Sequence, residues 1–501
     1  MSAFVTDQFR ILNAGSFVES ISNNSYYAFL GLSNPTSIGF GRDTNWDTST
    51  TNNPVDNFQY LSHYRDTSLF GKKITTENAR RVIRKVEWVA NTPYDMYRHD
   101  YRQGNEAPVS KTVRLYDANY YIITSEFKVY ICLDNGSSGV NPTVTGSAIE
   151  PTQTDVEPVT FSDGYRWKYL FSISPSDVIK FDSTEYITVP NDWLTTTDSS
   201  IQIVREGGDS DTNNNQLKVV YIEDGGSGYN QGATADIIGD GTGGKVSITV
   251  DSAGTITDVA VTNGGKGYTY GIIDLPPSSP SDTAKLIPII PPSKGHGYNI
   301  YEELGTDKVL MYARFDDSTK DFPIDTKFAQ VGIIKNPEEF SGAGTTFTGN
   351  AFSSLSSIGL SESRDVIIGE QITQSVTGAK GYVASFDKDT KVLKYYQDRS
   401  LYFGNKVDQT LSNSTSNIIA FDSTNIIEFV ESGGTSSINT DLNGSVVVLN
   451  SKQINLGVNF TDGLADPQIN KKTGTIIYID NRPTVQRDSR QKEDIKIILE
   501  F

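Results

Sequence analysis

A single cysteine, Cys132, stands among 501 residues, which excludes an intrachain disulfide framework and leaves no thiolate cluster for zinc. Stability must then come from packing or assembly, and a buried thiol in the strand-like run 128–133 is the expectation. Histidine is nearly as scarce. His63, His99 and His296 lie far apart, and none has a second His or Cys at metal-ligand spacing. The Tyr and Arg around the first two, as in YRHDYR at 97–102, point to a hydrogen-bonded structural role. Positive charge is in deficit, 43 Lys and Arg against 61 Asp and Glu. The net charge of −18 repels phosphates, whose binding rests on Lys and Arg displacing counterions, so no nucleic-acid partner is expected. No apolar run approaches the ~18 residues that span a bilayer. MSAFVTDQFR lacks the basic-then-apolar pattern of a secretory leader, so neither membrane attachment nor export is expected.

What the chain does have is aromatic residues, 26 Tyr and 23 Phe, with 43 Gly. β-Branched and aromatic residues fall in short runs broken by Gly, Pro, Asn and Asp, the spacing of strands and turns. At ~150 residues per domain the length predicts two to four domains, mostly β.

YYAFLG at 26–31 reads as a buried strand leading into a turn-rich loop pinned by Trp46. TTENARR at 75–81 reads as a short helix, followed by a strand through VIRKVEWV. YYIITSEFKVYICL at 120–133 and RWKYLFSI at 166–173 are dense in β-formers and read as core strands. In SPSDVIKF at 174–181, Ser is placed as N-cap, Pro at the first helical position and Asp near the dipole's positive end. After about Ile203 glycine rises and a motif recurs, YIEDGGSGYN at 221–230 and VTNGGKGYTY at 261–270, with a hairpin between. Prolines between 276 and 292 close this module. A second Ser-, Thr- and Asn-rich stretch contains GYVASFD, KVLKYY and SVVVLN. The terminal DIKIILEF alternates, with Ile495, Ile497, Leu499 and Phe501 on one face, and TIIYID at 475–480 is its expected partner.

Signals for chemistry are weak. GDGTGGKV at 239–246 fits the spacing of a phosphate-cradling loop, but Val246 replaces the magnesium-binding Ser or Thr and a strand former follows where a helix should start. It reads as a glycine turn. Asp-rich turns lack the carboxylate spacing of calcium loops. No Ser is flanked as a nucleophile elbow, and acidic residues are too many for their number to mark a glycosidase pair. No catalytic residue, metal or cofactor is read from the sequence.

Three blocks, in order, resemble the baseplate wedge subunit (the gene eight product) of T4-like phages with contractile tails. DGYRWKYLFSISP at 163–175 with EYITVP at 185–190 is similar to that family's strand, helix and strand, with Trp167, Tyr169 and Phe171 alternating onto one face. KVLMYARFDDS at 308–318 and FAQVGIIKNP at 328–337 are similar to a later strand pair. TGTIIYIDNRP at 473–483 and the terminal DIKIILEF resemble the closing strands. YYAFLG with Asn45-Trp46, and VEWVANTPYDMYRHDY at 86–101, resemble its N-terminal region more loosely. The resemblance implies a layered β-sandwich with short helices in its loops. It implies wedge core at 1–203, 293–340 and 466–501; the segments outside it, 204–292 and 341–465, are those that composition marks as inserted small all-β modules, and there the chain departs from the shorter family pattern. It further implies a non-enzymatic structural role in the virion tail baseplate, assembled in the host cytoplasm. Expected partners are a second copy and other wedge proteins. Asp163, Gly164, Trp167, Tyr169, Asn481, Arg482, Pro483 and Phe501 are the signature and candidate interface residues. The competing expectation is a glycan-binding module that stacks sugars on Tyr229 and Tyr268.

Overall fold

The computed structural model describes residues 6–32, 53–54, 58–207, 209–210, 213–275, 283–316, 327–342, 344–402, 418–487 and 491–501. Asn45, Trp46 and the prolines at 276, 277 and 280 lie outside these residues. The fold is mostly β and sandwich-like, with several antiparallel sheets and short helices in the connections. The chain divides into two compact units, the first of Met1–Val18, Arg80–Leu310 and Ile498–Phe501, the second of Glu19–Ala79 and Met311–Ile497.

In the first unit a four-stranded antiparallel sheet runs in the order Tyr121–Ile123, Lys128–Asp134, Arg166–Ser172, Val159–Thr160. The 120–133 segment is thus a hairpin and not one strand. Thr124 accepts the Phe127 amide on its carbonyl, and Phe127 takes a left-handed φ of 57°, a turn without the usual Gly or Asn signal. Tyr94, Tyr97, Tyr120, Tyr130, Tyr165, Trp167 and Trp193 fill the core around this sheet. The helix Pro175–Phe181 forms as its sequence dictates: the Ser174 hydroxyl accepts the Asp177 amide at 3.1 Å and Pro175 opens the first turn.

The helix expected at 75–81 is only a 3₁₀ turn, Thr76–Asn78, and Thr75 makes no side-chain cap. Residues 81–84 instead pair with 186–189, because strand pairing buries Val82 and Ile83, which a two-turn helix would not.

Within the first unit, residues 217–290 hold a core of their own, built on Leu217, Ile237, Val246, Ile248, Ile256 and the rings of Tyr229 and Tyr268. Its four-stranded sheet has the order Ile256–Lys266, Thr242–Val250, Thr234–Gly239, Gly271–Asp274, and a separate pair joins Val220–Asp224 to Lys285–Pro288.

The second unit contains a five-stranded sheet in the order Ala351–Ser353, Ser68–Ile74, Tyr26–Gly31, Lys327–Lys335, Thr475–Gln486. Strand 26–31 lies inside it and is buried at every position, which accounts for its unbroken apolar run. A seven-stranded sheet is drawn from residues 356–465, and Gly444–Leu449 pairs with Lys452–Phe460 as a separate hairpin.

The terminal strand Lys492–Glu500 does not pair with 475–480. It lies beside Lys308–Asp316, while Thr475–Gln486 pairs with Lys327–Lys335. At the bend between them Arg487 and Glu493, both buried, form an ion pair at 3.0 Å, and Arg487 donates to the Gln491 carbonyl.

Candidate assembly residues

Asp163 and Gly164 make the turn before strand 166–172. Gly164 has φ 89°, a conformation that favours glycine. The Asp163 carboxylate accepts the amides of Ala148 (2.8 Å), Ile149 (3.2 Å) and Tyr165 (3.2 Å). It fastens the 147–149 loop to the strand.

Trp167 is fully buried, stacked on Tyr165 at 5.5 Å and edge-on to Tyr94 at 5.9 Å. It therefore presents no surface to a partner. Tyr169, half-buried, packs edge-on against its cross-strand partner Tyr130. The expected alternation of Trp167, Tyr169 and Phe171 is broken. Cys132 faces Trp167 and Tyr130 faces Tyr169, but Phe171 is opposite Val129. The extra residue in this strand is a bulge that turns Phe171 to the other face, where it meets Trp193.

In the second unit the Asn-Arg-Pro step is a second bulge. Gln330 is opposite Asn481 while Phe328 is opposite Val485, so more residues lie on the 475–486 strand than on its partner. Pro483, which has no N–H to give to a ladder, sits in that interruption. The register beside it is locked by buried amides, with Gln330 Nε2 donating to Asn481 Oδ1 at 2.8 Å. Gly31 is the next member of the same row, and a Cβ there would meet Gln330 Oε1 at 3.1 Å. Arg482 and Pro483 are exposed, and Arg482 Nε holds Asp480 at 2.6 Å.

Phe501 packs on Phe17 at 5.3 Å, and its amide donates to the Asp307 carbonyl. Of the eight signature residues, Asp163, Gly164, Trp167 and Tyr169 share a turn and strand of the first unit, and Asn481, Arg482 and Pro483 share a bulge of the second.

Around Phe501 the first unit has a charged crevice that sequence reading missed. Arg10 reaches Glu500 at 3.7 Å, Lys308 bridges Asp307 (2.9 Å) and Glu500 (3.4 Å), and Arg114 pairs with Asp7. Its members come from four distant stretches of chain, and nothing local marks them. The helix Asp7–Asn23 that carries Asp7 and Arg10 was also missed, although Ile11, Ala14, Val18 and Ile21, all buried, keep a helical period.

The residues that suggested chemistry have structural occupations. His296 Nδ1 is 2.6 Å from Glu303 and His63 Nδ1 is 3.0 Å from Asp398, all four side chains buried. His99 Nδ1 accepts the Ile290 amide, and burial holds its pKa low. Cys132 is buried, and desolvation together with Asp134 and Asp95 pushes its thiol far up, away from the thiolate. Among the described residues no three His, Cys, Asp or Glu side chains gather as a metal set.

Residues 239–246 cross a strand-to-strand turn, with no helix N-terminus after it. Gly241 there, and Gly265 on the strand Ile256–Lys266, make room for Tyr268: a Cβ on either would lie 2.4 or 2.7 Å from its ring. The Tyr268 hydroxyl accepts the Gly244 amide and donates to the Ile237 carbonyl. Tyr229 accepts the Ala284 amide on its hydroxyl. Both rings are buried, so neither offers a face to a sugar.

Two lysines, the buried Lys168 and the half-buried Lys471, also escaped notice. Lys168 donates to the Val156 carbonyl at 2.6 Å and Lys471 to that of Asp66 at 3.0 Å. Desolvation lowers each to about 8. No family model and no curated protein matches the chain.

Proposed function

We propose that this chain is a structural subunit of a contractile-tail baseplate wedge, linking neighbouring wedge proteins and taking part in the rearrangement that releases sheath contraction. The observation that supports the reading most is the ordered set of signature segments, DGYRWKYLFSISP, FAQVGIIKNP and TGTIIYIDNRP, each of which contributes a sheet strand. The last of them carries an exposed Arg-Pro bulge over a buried amide lock. A rigid bulge that presents arginine suits a contact surface, since arginine is enriched at protein interfaces. Arg482 and Pro483 are the proposed contact residues of the signature. The eight residues have no catalytic role in this reading, and no cofactor is invoked.

Sedimentation velocity of the full chain tests the expected self-association. A dimer at micromolar concentration that Arg482→Glu weakens agrees with the reading. A monomer throughout the range counts against the wedge role.

A further inference from the structure

The glycine-rich module carries a surface that its own fold does not explain. Ala235, Ile237, Val246 and Ile248 point into its core. On the other face Ile238 and Ile272 are cross-strand partners, 50% and 65% exposed. Tyr270, in the bend just before that edge strand, is 62% exposed. Exposed large apolar side chains on an edge strand, its neighbour and the bend that leads into it are the kind of cluster that marks association surfaces.

Exposed carboxylates surround them: Asp236, Asp240 and Asp274. Asp236 and Asp274 are register partners on adjacent strands, an arrangement in which like charges destabilise the pair. Lys245 lies 3.2 Å from Asp236 and is the one cation recorded against the two among the described residues. Asp240 has a different task. It accepts the amides of Thr269 at 2.9 Å and Tyr270 at 3.2 Å, and with the Thr269 hydroxyl these bonds depress its carboxyl to about 2. The backbone at Tyr270 is thereby fixed before anything binds, which lowers the ordering cost of using this residue as an anchor.

We propose that Ile238, Tyr270 and Ile272 form a docking patch for a partner protein whose contact segment is apolar at its centre and flanked by Lys or Arg. The partner's cations relieve the Asp236–Asp274 repulsion while its apolar residues cover the three exposed side chains. A second copy of this chain, with a net charge of −18, is the wrong electrostatic complement for such a rim. The inference does not rest on the tail assignment.

The test uses the full chain and two synthetic peptides with the same alternating Val and Tyr residues, one interspersed with Lys and the other with Glu, read by fluorescence anisotropy. The Lys peptide binds saturably and the Glu peptide does not. Salt at about 0.5 M, where the Debye length shrinks to a few Å, weakens the complex. Tyr270→Ala and Ile272→Asp each weaken it at least ~10-fold, as loss of an interface anchor does, and Asp274→Lys shifts the preference toward the Glu peptide. Because Asp274→Lys changes only an exposed charge, it still reads the contact if Ile272→Asp fails to fold. Equal binding of both peptides, no binding of either, or variants that bind like the parent overturn the proposal. So does concentration-dependent self-association that Tyr270→Ala abolishes, which assigns the patch to a second copy.

Discussion

Replacing Asn481 with leucine tests how the Asn-Arg-Pro bulge is held. In the parent protein Gln330 Nε2 donates to Asn481 Oδ1 inside the five-stranded sheet, with Gln330 fully buried and Asn481 5% exposed. Asn481→Leu leaves the Gln330 amide buried without that acceptor. An orphaned buried polar group costs roughly 1–3 kcal/mol, whereas replacing both partners by apolar groups of similar shape is nearly neutral. Gln330→Met with Asn481→Leu is therefore expected to regain most of what either single change loses. Calorimetry is the suitable assay, since two units need not melt in one transition. For a unit of a few hundred residues each kcal/mol moves the midpoint by about 2–4 °C, so the single variant should lower one transition by roughly 3–10 °C. The double variant should lie within about 3 °C of the parent. If the double variant loses the sum of both single losses, hydrogen bonding between these amides is not what fixes the register.

Four further outcomes are expected. Ile497→Asp buries a charge at a position 6% exposed; it should cost several kcal/mol and deplete soluble folded protein on expression, and an unchanged melting profile would contradict a docked terminal strand. Asp163→Ala frees the Ala148, Ile149 and Tyr165 amides; about 1–3 kcal/mol is lost, and limited proteolysis should then cut near residue 148. Lys168 and Lys471 each titrate near 8 when folded and near ~10.4 when unfolded. Between those values the unfolded chain binds more protons, so each lysine raises stability with pH by up to about 1.4 kcal/mol per unit. Denaturant midpoints should rise from about pH 8 toward 10, and less so in Lys471→Met; an identical rise in that variant refutes its share. Cys132, buried with its thiol pushed far above the usual range, should resist a thiol reagent until denaturant is added, and rapid labelling of the native protein would show that its strand opens.

The local signals were legible and the non-local ones were not. Strand 26–31 announced itself because both of its faces are buried, and helix 175–181 because its cap, proline and aspartate stand at fixed offsets. The glycine and tyrosine repeat was legible as a recurring turn motif, but that Tyr229 and Tyr268 fill a small core had to come from the structure. The bulge that turns Phe171 away from Trp167 adds a single residue to the pairing, which no periodicity reveals. The partner of the terminal strand was misread because 475–480 and 308–316 are equally apolar. The buried Arg487–Glu493 pair was hidden as well, since its residues look like loop charges in the sequence. Lys168 and Lys471 were invisible for a related reason, since a lysine reads as surface until its carbonyl acceptor is seen. Of the signature, the Asp163 turn and the Pro483 bulge gained physical reasons, while Trp167 proved to be core.

The central claim is tested most directly by electron microscopy of phage particles labelled with an antibody against this chain, comparing extended with contracted tails. The account predicts label at the baseplate rim in both states. Label confined to tail fibres, or its absence from particles, would contradict it.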